Sequence, residues 1–210
     1  MFYFVKTPGW LKKIYSSCTW QINTSKKIIY LSFDDGPHPQ ATPFVLEVLN
    51  KFNAKATFFC IGKNVAAHRE IYERILTEDH AVGNHTFNHL NGWKTTTGLY
   101  MANIIAAQQI ISSNIFRPPY GKISFKQLKQ LTTKQPVLKV IMWTVLSGDF
   151  DKNISGIKCL KNVIENAGNG SIVVFHDSEK AFEKLQFVLP EVLAHFTNTG
   201  YRFEKIIALV

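Results

Sequence analysis

An apolar run from Ile28 to Phe33 stops against Asp34-Asp35-Gly36-Pro37, and this junction constrains the chain more than any other stretch. Gly36 allows backbone angles closed to other residues, and Pro37 offers no N–H, so a strand entering here cannot readily continue. The spacing predicts two carboxylates at a strand's C-terminal rim. In parallel α/β folds that rim is where ligands bind and chemistry happens. Taken alone, the same string is equally well a solvated turn.

The rest of the chain alternates between strand and helix patterns. Thr42 can cap and Pro43 can open a helix reaching Phe52, with Phe44, Val45, Val48 and Leu49 buried. Strand patterns follow at 56–61, 81–84, 115–117, 137–143, 171–175 and 201–206. Helical patterns fall between them at 65–77, 100–111, 124–131, 155–166 and 179–196. Pro190 should kink or divide the last of these. Such alternation predicts an α/β fold with parallel strands and helical crossovers. At 210 residues, with no internal repeat or low-complexity linker, the chain fits a single domain with a short extension.

Charge sets that extension apart. The formal net charge is +9, and Lys6, Lys12, Lys13, Lys26 and Lys27 precede Asp34 without one acidic residue. Residues 1–25 are therefore expected to form a basic N-terminal extension, helical over 8–22, ahead of a domain over 26–210. Trp10, Leu11, Ile14, Tyr15 and Cys18 recur at helical spacing, opposite Lys12, Lys13, Ser16 and Ser17. That face either lies on a membrane surface or packs under the domain. No nucleic-acid-binding signature accompanies the charge, so no nucleic-acid partner is expected. Lys6 cuts the apolar start Met1–Val5 short of a signal-peptide core, and no stretch reaches the length of a membrane span. The default expectation is a cytoplasmic protein, with cell-envelope association through the basic segment. Cys18, Cys60 and Cys159 are few, odd in number and far apart, which reads as buried thiols rather than a disulfide framework. Oligomeric state has no signature.

Three further strand ends carry chemistry. His85 and His89 are four residues apart, a spacing that on a helical turn would place both imidazoles on one face. With one carboxylate of the Asp34-Asp35 pair they make a three-ligand site of the catalytic type, which leaves the other carboxylate free to act as a base. His176, after the apolar run 172–174, can protonate a leaving group, and a nearby aspartate can set its tautomer and charge. Arg117 can hold a carboxylate bidentately, and the Pro118-Pro119-Tyr120-Gly121 string should leave the Tyr120 and Gly121 N–H groups free for an oxyanion.

SFDDGP (32–37), HTFNH (85–89), FRPPYG (116–121) and VVFHD (173–177) resemble four of the five motifs of NodB-like polysaccharide deacetylases, carbohydrate esterase family four. The resemblance implies a distorted, incomplete (β/α) barrel of about seven parallel strands, and a NodB homology domain over 26–210. It implies Asp34 as general base and Asp35, His85 and His89 as metal ligands. His176 would be the general acid, Arg117 the residue orienting the base, and the Tyr120 amide an oxyanion donor. In the remaining motif the matching stretch is Leu146-Ser147-Gly148-Asp149-Phe150, so Asp149 would tether His176. Leu146 stands where the family commonly has Asp, Phe150 where it has Trp, and Val174 where it has Leu, which alters the substrate pocket. His38 reads as a loop residue.

The implied activity is metal-dependent removal of N-acetyl groups from glycans containing N-acetylglucosamine, peptidoglycan or chitin-like oligosaccharide. Zn2+ is the expected cofactor, with Co2+, Ni2+ or Fe2+ as alternatives. The expected partner is an acetylated glycan, with peripheral membrane contact through the basic segment. O-acetyl xylan or another sugar amide is the alternative substrate. A non-catalytic carbohydrate-binding module is a third reading, opposed by the presence of Asp34, His85, His89 and His176.

Overall fold

The computed structural model describes residues 3–133 and 137–207. Met1 and Phe2, the start of the apolar N-terminal run, lie outside the described residues. The strands are β1 (Ile28–Asp34), β2 (Ala56–Cys60), β3 (Ala81–Asn84), β4 (Ile115–Phe116), β5 (Lys139–Val140), β6 (Val145–Leu146), β7 (Ile172–His176) and β8 (Arg202–Phe203). The helices are α1 (Gly9–Ile14), α2 (Ala41–Lys51), α3 (Gly62–Ala67), α4 (Arg69–Thr77), α5 (Thr97–Gln108), α6 (Phe125–Thr133), α7 (Gly156–Ile164) and α8 (Glu179–Asn198).

The hydrogen-bonded order is β5-β4-β3-β2-β1-β7-β6, with β8 beside β1, and these pairings are parallel. β5 and β6 sit at opposite ends of this path, yet only residues 141–144 separate them in the chain. Laid flat, the path would measure about 29 Å at ordinary strand spacing, whereas the chain between Val140 and Val145 reaches at most about 18 Å. The sheet is therefore curled into an incomplete barrel, its gap lying between β5 and β6.

The N-terminal segment occupies that gap. Lys6 pairs antiparallel with Val145, and Thr19 pairs parallel with Ile141. Leu146 N–H donates to the Val5 carbonyl at 2.8 Å, Thr7 N–H to the Thr144 carbonyl at 2.9 Å, and Met142 N–H to the Thr19 carbonyl at 2.8 Å. This corrects the expected helix over 8–22, because only Gly9–Ile14 is helical. Cys18 and Trp20 are buried because strand-like pairing draws them against Tyr100, Phe116 and Leu128, not because they line a helix. Trp10 and Ile14, on the helix itself, are 57% and 51% exposed.

Three other elements differ from their sequence pattern. The apolar run 137–143 is strand only over β5, and the chain beyond it joins the opposite end of the sheet as β6. The pattern over 65–77 divides into α3 and α4 at His68, whose φ of −131° and ψ of 54° are not helical. α8 runs unbroken through Pro190.

Side chains alternate across the sheet, as strand geometry requires. Ile29, Leu31 and Phe33 of β1, Phe58 of β2, and Val173 and Phe175 of β7 pack outward against α2, α7 and α8 in the main core. Ser32, Asp34, Phe59 and His176 take the alternate positions, so the barrel's interior gathers polar groups at one end. Cys18, Cys60 and Cys159 are free and buried.

Candidate active site

β1 and β7 are in register with Asp34 beside His176, so these two strand ends bring the base and acid candidates to one rim. Chain reversal after β1 depends on Gly36, whose N–H donates to Asp177 Oδ1 at 3.1 Å. A Cβ at Gly36 would stand 2.0 Å from Asp177 Oδ2, so no larger residue fits there without displacing the aspartate. Asp35, at φ 81°, is thereby turned away from Asp34 and toward the histidines.

Asp35, His85 and His89 form a cluster whose ligand atoms all lie within 4.8 Å of one another. Asp35 Oδ1 is 3.6 Å from His85 Nε2 and 3.0 Å from His89 Nε2. Small side-chain adjustments would bring all three onto one ion with bonds of about 2.0–2.2 Å. The two histidines do not share a helical turn, as their spacing suggested. They sit on an irregular loop in which Thr86 (φ 63°) and His89 (φ 56°) adopt left-handed backbone.

Two asparagines hold that loop. Asn84 Oδ1 accepts the Thr86 N–H at 2.8 Å, and Asn103 Oδ1, on α5, accepts the N–H groups of Phe87 and Asn88 at 2.9 Å each. His85 Nδ1 lies 2.7 Å from the Arg117 carbonyl oxygen. A carbonyl only accepts, so Nδ1 carries the proton and Nε2 presents its lone pair to the cluster. Burial pushes His85 down to about 4, keeping it neutral and able to ligate. For Asp35, burial acts upward, but the hydrogen bond to His89 and the proximity of His176 and His85 hold its carboxyl well below the usual range. The donor set fits a divalent metal ion.

Asp34 is held from beneath by Arg117, whose side chain is fully buried in the barrel interior. Nη1 donates to Asp34 Oδ1 at 2.7 Å and to Ser32 Oγ at 2.8 Å. Nε and Nη2 donate to the Ile141 and Met142 carbonyls at 3.2 and 3.1 Å. The expected bidentate grip is thus monodentate, because main-chain carbonyls take the other donors. The guanidinium carbon stands 4.0 Å from the Phe59 ring centroid, which supports the buried charge from its face.

His176 is fixed by Asp149. Asp149 Oδ1 lies 2.8 Å from His176 Nδ1, and its Oδ2 accepts the His176 backbone N–H at 2.7 Å. Burial alone would lower this imidazole, but the Asp149 charge and hydrogen bond raise it to about 9. Asp177, next in sequence, serves the first turn instead, accepting from Thr42 Oγ1 at 2.5 Å as well as from Gly36. Burial pushes Asp177 up to about 8 against the Thr42 hydrogen bond. His38 lies in the loop before α2, as expected, with its Nδ1 accepting from the Ala41 N–H at 3.1 Å.

Tyr120 adopts φ 59°, and its ring centroid lies 4.6 Å from that of His89. Gly121 N–H is committed to the Pro118 carbonyl at 3.0 Å, which leaves Tyr120 alone of the pair with an N–H unpaired among the described residues. Val174 and Leu146 are buried in β7 and β6, while the Phe150 ring packs edge-on against His176 with centroids 5.0 Å apart.

Sequence reasoning missed Asn84 and Asn103, and took Thr42 for a helix cap, whereas α2 begins at Ala41 and the Thr42 hydroxyl bonds Asp177 instead. Only Asn103 carried a signal, a polar residue at a position of α5 where Tyr100, Ile104 and Ala107 turn inward.

Comparison with known proteins agrees with this arrangement. Residues 21–136 match the polysaccharide deacetylase family. A peptidoglycan-N-acetylglucosamine deacetylase of Bacillus cereus is 32% identical over 198 residues, covering 91% of this chain and 92% of its own. A chitooligosaccharide deacetylase of Azorhizobium caulinodans is 33% identical over 165 residues, covering 75% of this chain and 77% of its own. The crystal structure of a peptidoglycan N-acetylglucosamine deacetylase bound to 4-naphthalen-1-yl-N-oxidanyl-benzamide superposes with a TM-score of 0.86 at 29% identity, over 95% of each chain. With its curled parallel sheet and its strand-end carboxylates and histidines, this chain belongs to the polysaccharide deacetylase family.

Proposed function

We propose that the protein hydrolyses the N-acetyl groups of N-acetylglucosamine units in a glycan, peptidoglycan or a chitin-like oligosaccharide, releasing acetate and leaving a glucosamine unit. The observation that carries this reading is the convergence at one rim of three ligands, a buried Asp34–Arg117 pair and an Asp149–His176 pair. The names of the peptidoglycan and chitooligosaccharide deacetylases similar to this chain support the substrate class.

Asp35, His85 and His89 would hold the metal ion, and two imidazoles with one carboxylate suit Zn2+, with Co2+, Ni2+ or Fe2+ as alternatives. Such an ion supplies Lewis acidity, polarising a carbonyl and making water a better nucleophile. The chain's own groups supply the proton transfers. Asp34, oriented by Arg117, takes a proton from the attacking water. The Tyr120 N–H donates to the oxygen on which charge develops as the acetamide carbon becomes tetrahedral. His176 starts protonated, as Asp149 ensures, and gives its proton to the departing nitrogen. The C–N bond breaks, and acetate and amine leave.

Peripheral contact with an anionic envelope surface is part of the same reading. Trp10 and Ile14 stand exposed on α1 among Lys6, Lys12 and Lys13, a combination that suits a membrane face. No described helix is long and apolar enough to cross a membrane. A cytoplasmic location with this surface contact is the proposal, checked by co-sedimentation with anionic vesicles.

Acetate release from N-acetylglucosamine oligomers and peptidoglycan fragments tests the function, comparing zinc-loaded, chelated and Asp34→Asn enzyme. Release that requires metal and disappears with the Asn change is expected. Release unaffected by both manipulations would overturn the assignment, and release only from acetylated xylan would move it to another substrate.

A further inference from the structure

The loop 147–151 carries Asp149, and the N-terminal segment covers it from outside the barrel. Tyr3 Oη donates to Asp151 Oδ2 at 3.1 Å and lies 2.9 Å from where a Cβ on Gly148 would stand. The Tyr3 ring centroid is 5.2 Å from that of Phe150, tilted by 57°. Phe150 then meets the His176 imidazole at 71°, with centroids 5.0 Å apart. Tyr3, Phe150 and His176 therefore form a continuous line of ring contacts that ends on the imidazole.

Main-chain hydrogen bonds keep this line in place. Val5 accepts the Leu146 N–H at 2.8 Å, immediately before the loop begins, and the Thr7 side chain donates to the Trp143 carbonyl at 2.8 Å. Asp149 fixes one nitrogen of His176. A single hydrogen bond beside the Cβ attachment leaves the imidazole plane free to tilt, and a ring packed against it removes that freedom.

We propose that Tyr3 is a positioning residue for His176, acting through Phe150. The inference rests on the reading of His176 as the proton donor to the leaving nitrogen. It makes Tyr3 part of the active site's support.

The test compares zinc-loaded wild type, Tyr3→Ala and Tyr3→Phe for kcat and KM on N-acetylglucosamine oligomers. The imidazole resonances of His176 are recorded alongside, in histidine-labelled full-length protein. Tyr3→Ala should lower kcat about three- to tenfold, the size of one lost aromatic contact, with KM held within about twofold. It should also move the His176 ring signals, since Phe150 without Tyr3 behind it shifts and changes the ring current that falls on them. Tyr3→Phe keeps the ring and should restore most of both. In a Phe150→Ala background, adding Tyr3→Ala should lower kcat no further, because the effect passes through Phe150.

Unchanged kcat and unchanged His176 signals in Tyr3→Ala would overturn the proposal. So would a variant that melts earlier while both readouts stay at wild-type values. The resonances separate this failure from failure of the function: a wild type that releases no acetate would discard the deacetylase reading, whereas active enzyme with unmoved His176 signals discards only the role of Tyr3.

Discussion

His85 and His176 both end strands of one sheet, both are enclosed by protein, and they titrate in opposite directions. Burial takes His85, 2% exposed, down to about 4, while His176, 15% exposed, is raised to about 9. The difference lies in the partner of each Nδ1. His85 meets the Arg117 carbonyl, a neutral acceptor that fixes the tautomer and leaves the ring uncharged. His176 meets the Asp149 carboxylate, whose charge outweighs the cost of burying an imidazolium. On the proposed reading, one fold makes a ligand from the first histidine and an acid from the second, by the choice of oxygen set behind each ring.

Arg117 serves both halves, through its carbonyl to His85 and its guanidinium to Asp34. Arg117→Ala separates these services and should have the largest effect. The carbonyl remains, but Asp34 is left buried without its counter-charge, a change that costs about 3–5 kcal/mol of stability. Chemical denaturation would measure the loss, and zinc titration of the folded fraction should still find a site while acetate release is gone. Loss of zinc binding from protein that remains folded would show that the two halves are not separable at this residue.

Asp149→Asn erases the contrast itself. The amide keeps the shape but not the charge, so burial is left to lower His176 as it lowers His85. His176 donates its proton only when protonated. In the wild type, activity should therefore persist as pH rises and fall through about 9. In the variant, the alkaline limb should move to lower pH, and kcat at neutral pH should drop about a hundredfold. A pH profile of kcat/KM checks this, and an unshifted alkaline limb would place the acid elsewhere.

Much of this site was legible in the sequence because each functional group stands where a strand stops. Apolar runs ending at Asp34, Asn84, Phe116 and His176 are local features, and parallel pairing brings their ends together. What was not legible depends on partners far away in the chain. The residues Trp10 to Cys18 do fall at helical spacing, but Thr19 and Lys6 are claimed by strand ends over a hundred residues away, which overrides local preference beyond Ile14. The apolar run 137–143 gave no sign that its continuation belongs to the other end of the barrel, because hydrophobicity carries no information about which edge a strand joins. The His85–His89 spacing fits a helix equally well, and only two left-handed residues show that a loop delivers them.

Asn103 sharpens the comparison on the ligand side. It accepts the N–H groups of Phe87 and Asn88 within the loop that presents His89, and among the described residues none of its hydrogen bonds goes to the His176 half. Asn103→Ala leaves the Asn88 N–H unpaired, while the Phe87 N–H keeps the Asn103 main-chain carbonyl, and should weaken zinc binding about tenfold, as loss of an outer-shell support does. Competition against a chromophoric chelator would read the affinity. The alkaline limb should stay where it is, since the acid is untouched, and a limb that moved would show the halves to be coupled.

Thr42→Val makes the smallest perturbation, on the turn between the halves. The Thr42 hydroxyl donates to Asp177, whose other oxygen holds the Gly36 N–H and with it the turn that separates Asp34 from Asp35. Valine preserves the volume but removes both the hydrogen bond to a buried acid and the acceptor of the His38 N–H, a loss of about 1–3 kcal/mol. Asp177 would still accept from Gly36, so the turn should survive and the midpoint of unfolding should fall while kcat changes little. A kcat that fell together with stability would mean that the orientation of Asp34 against Asp35 depends on Asp177 being held at both oxygens. Separation of base from ligand would then be maintained by α2 rather than by the sheet.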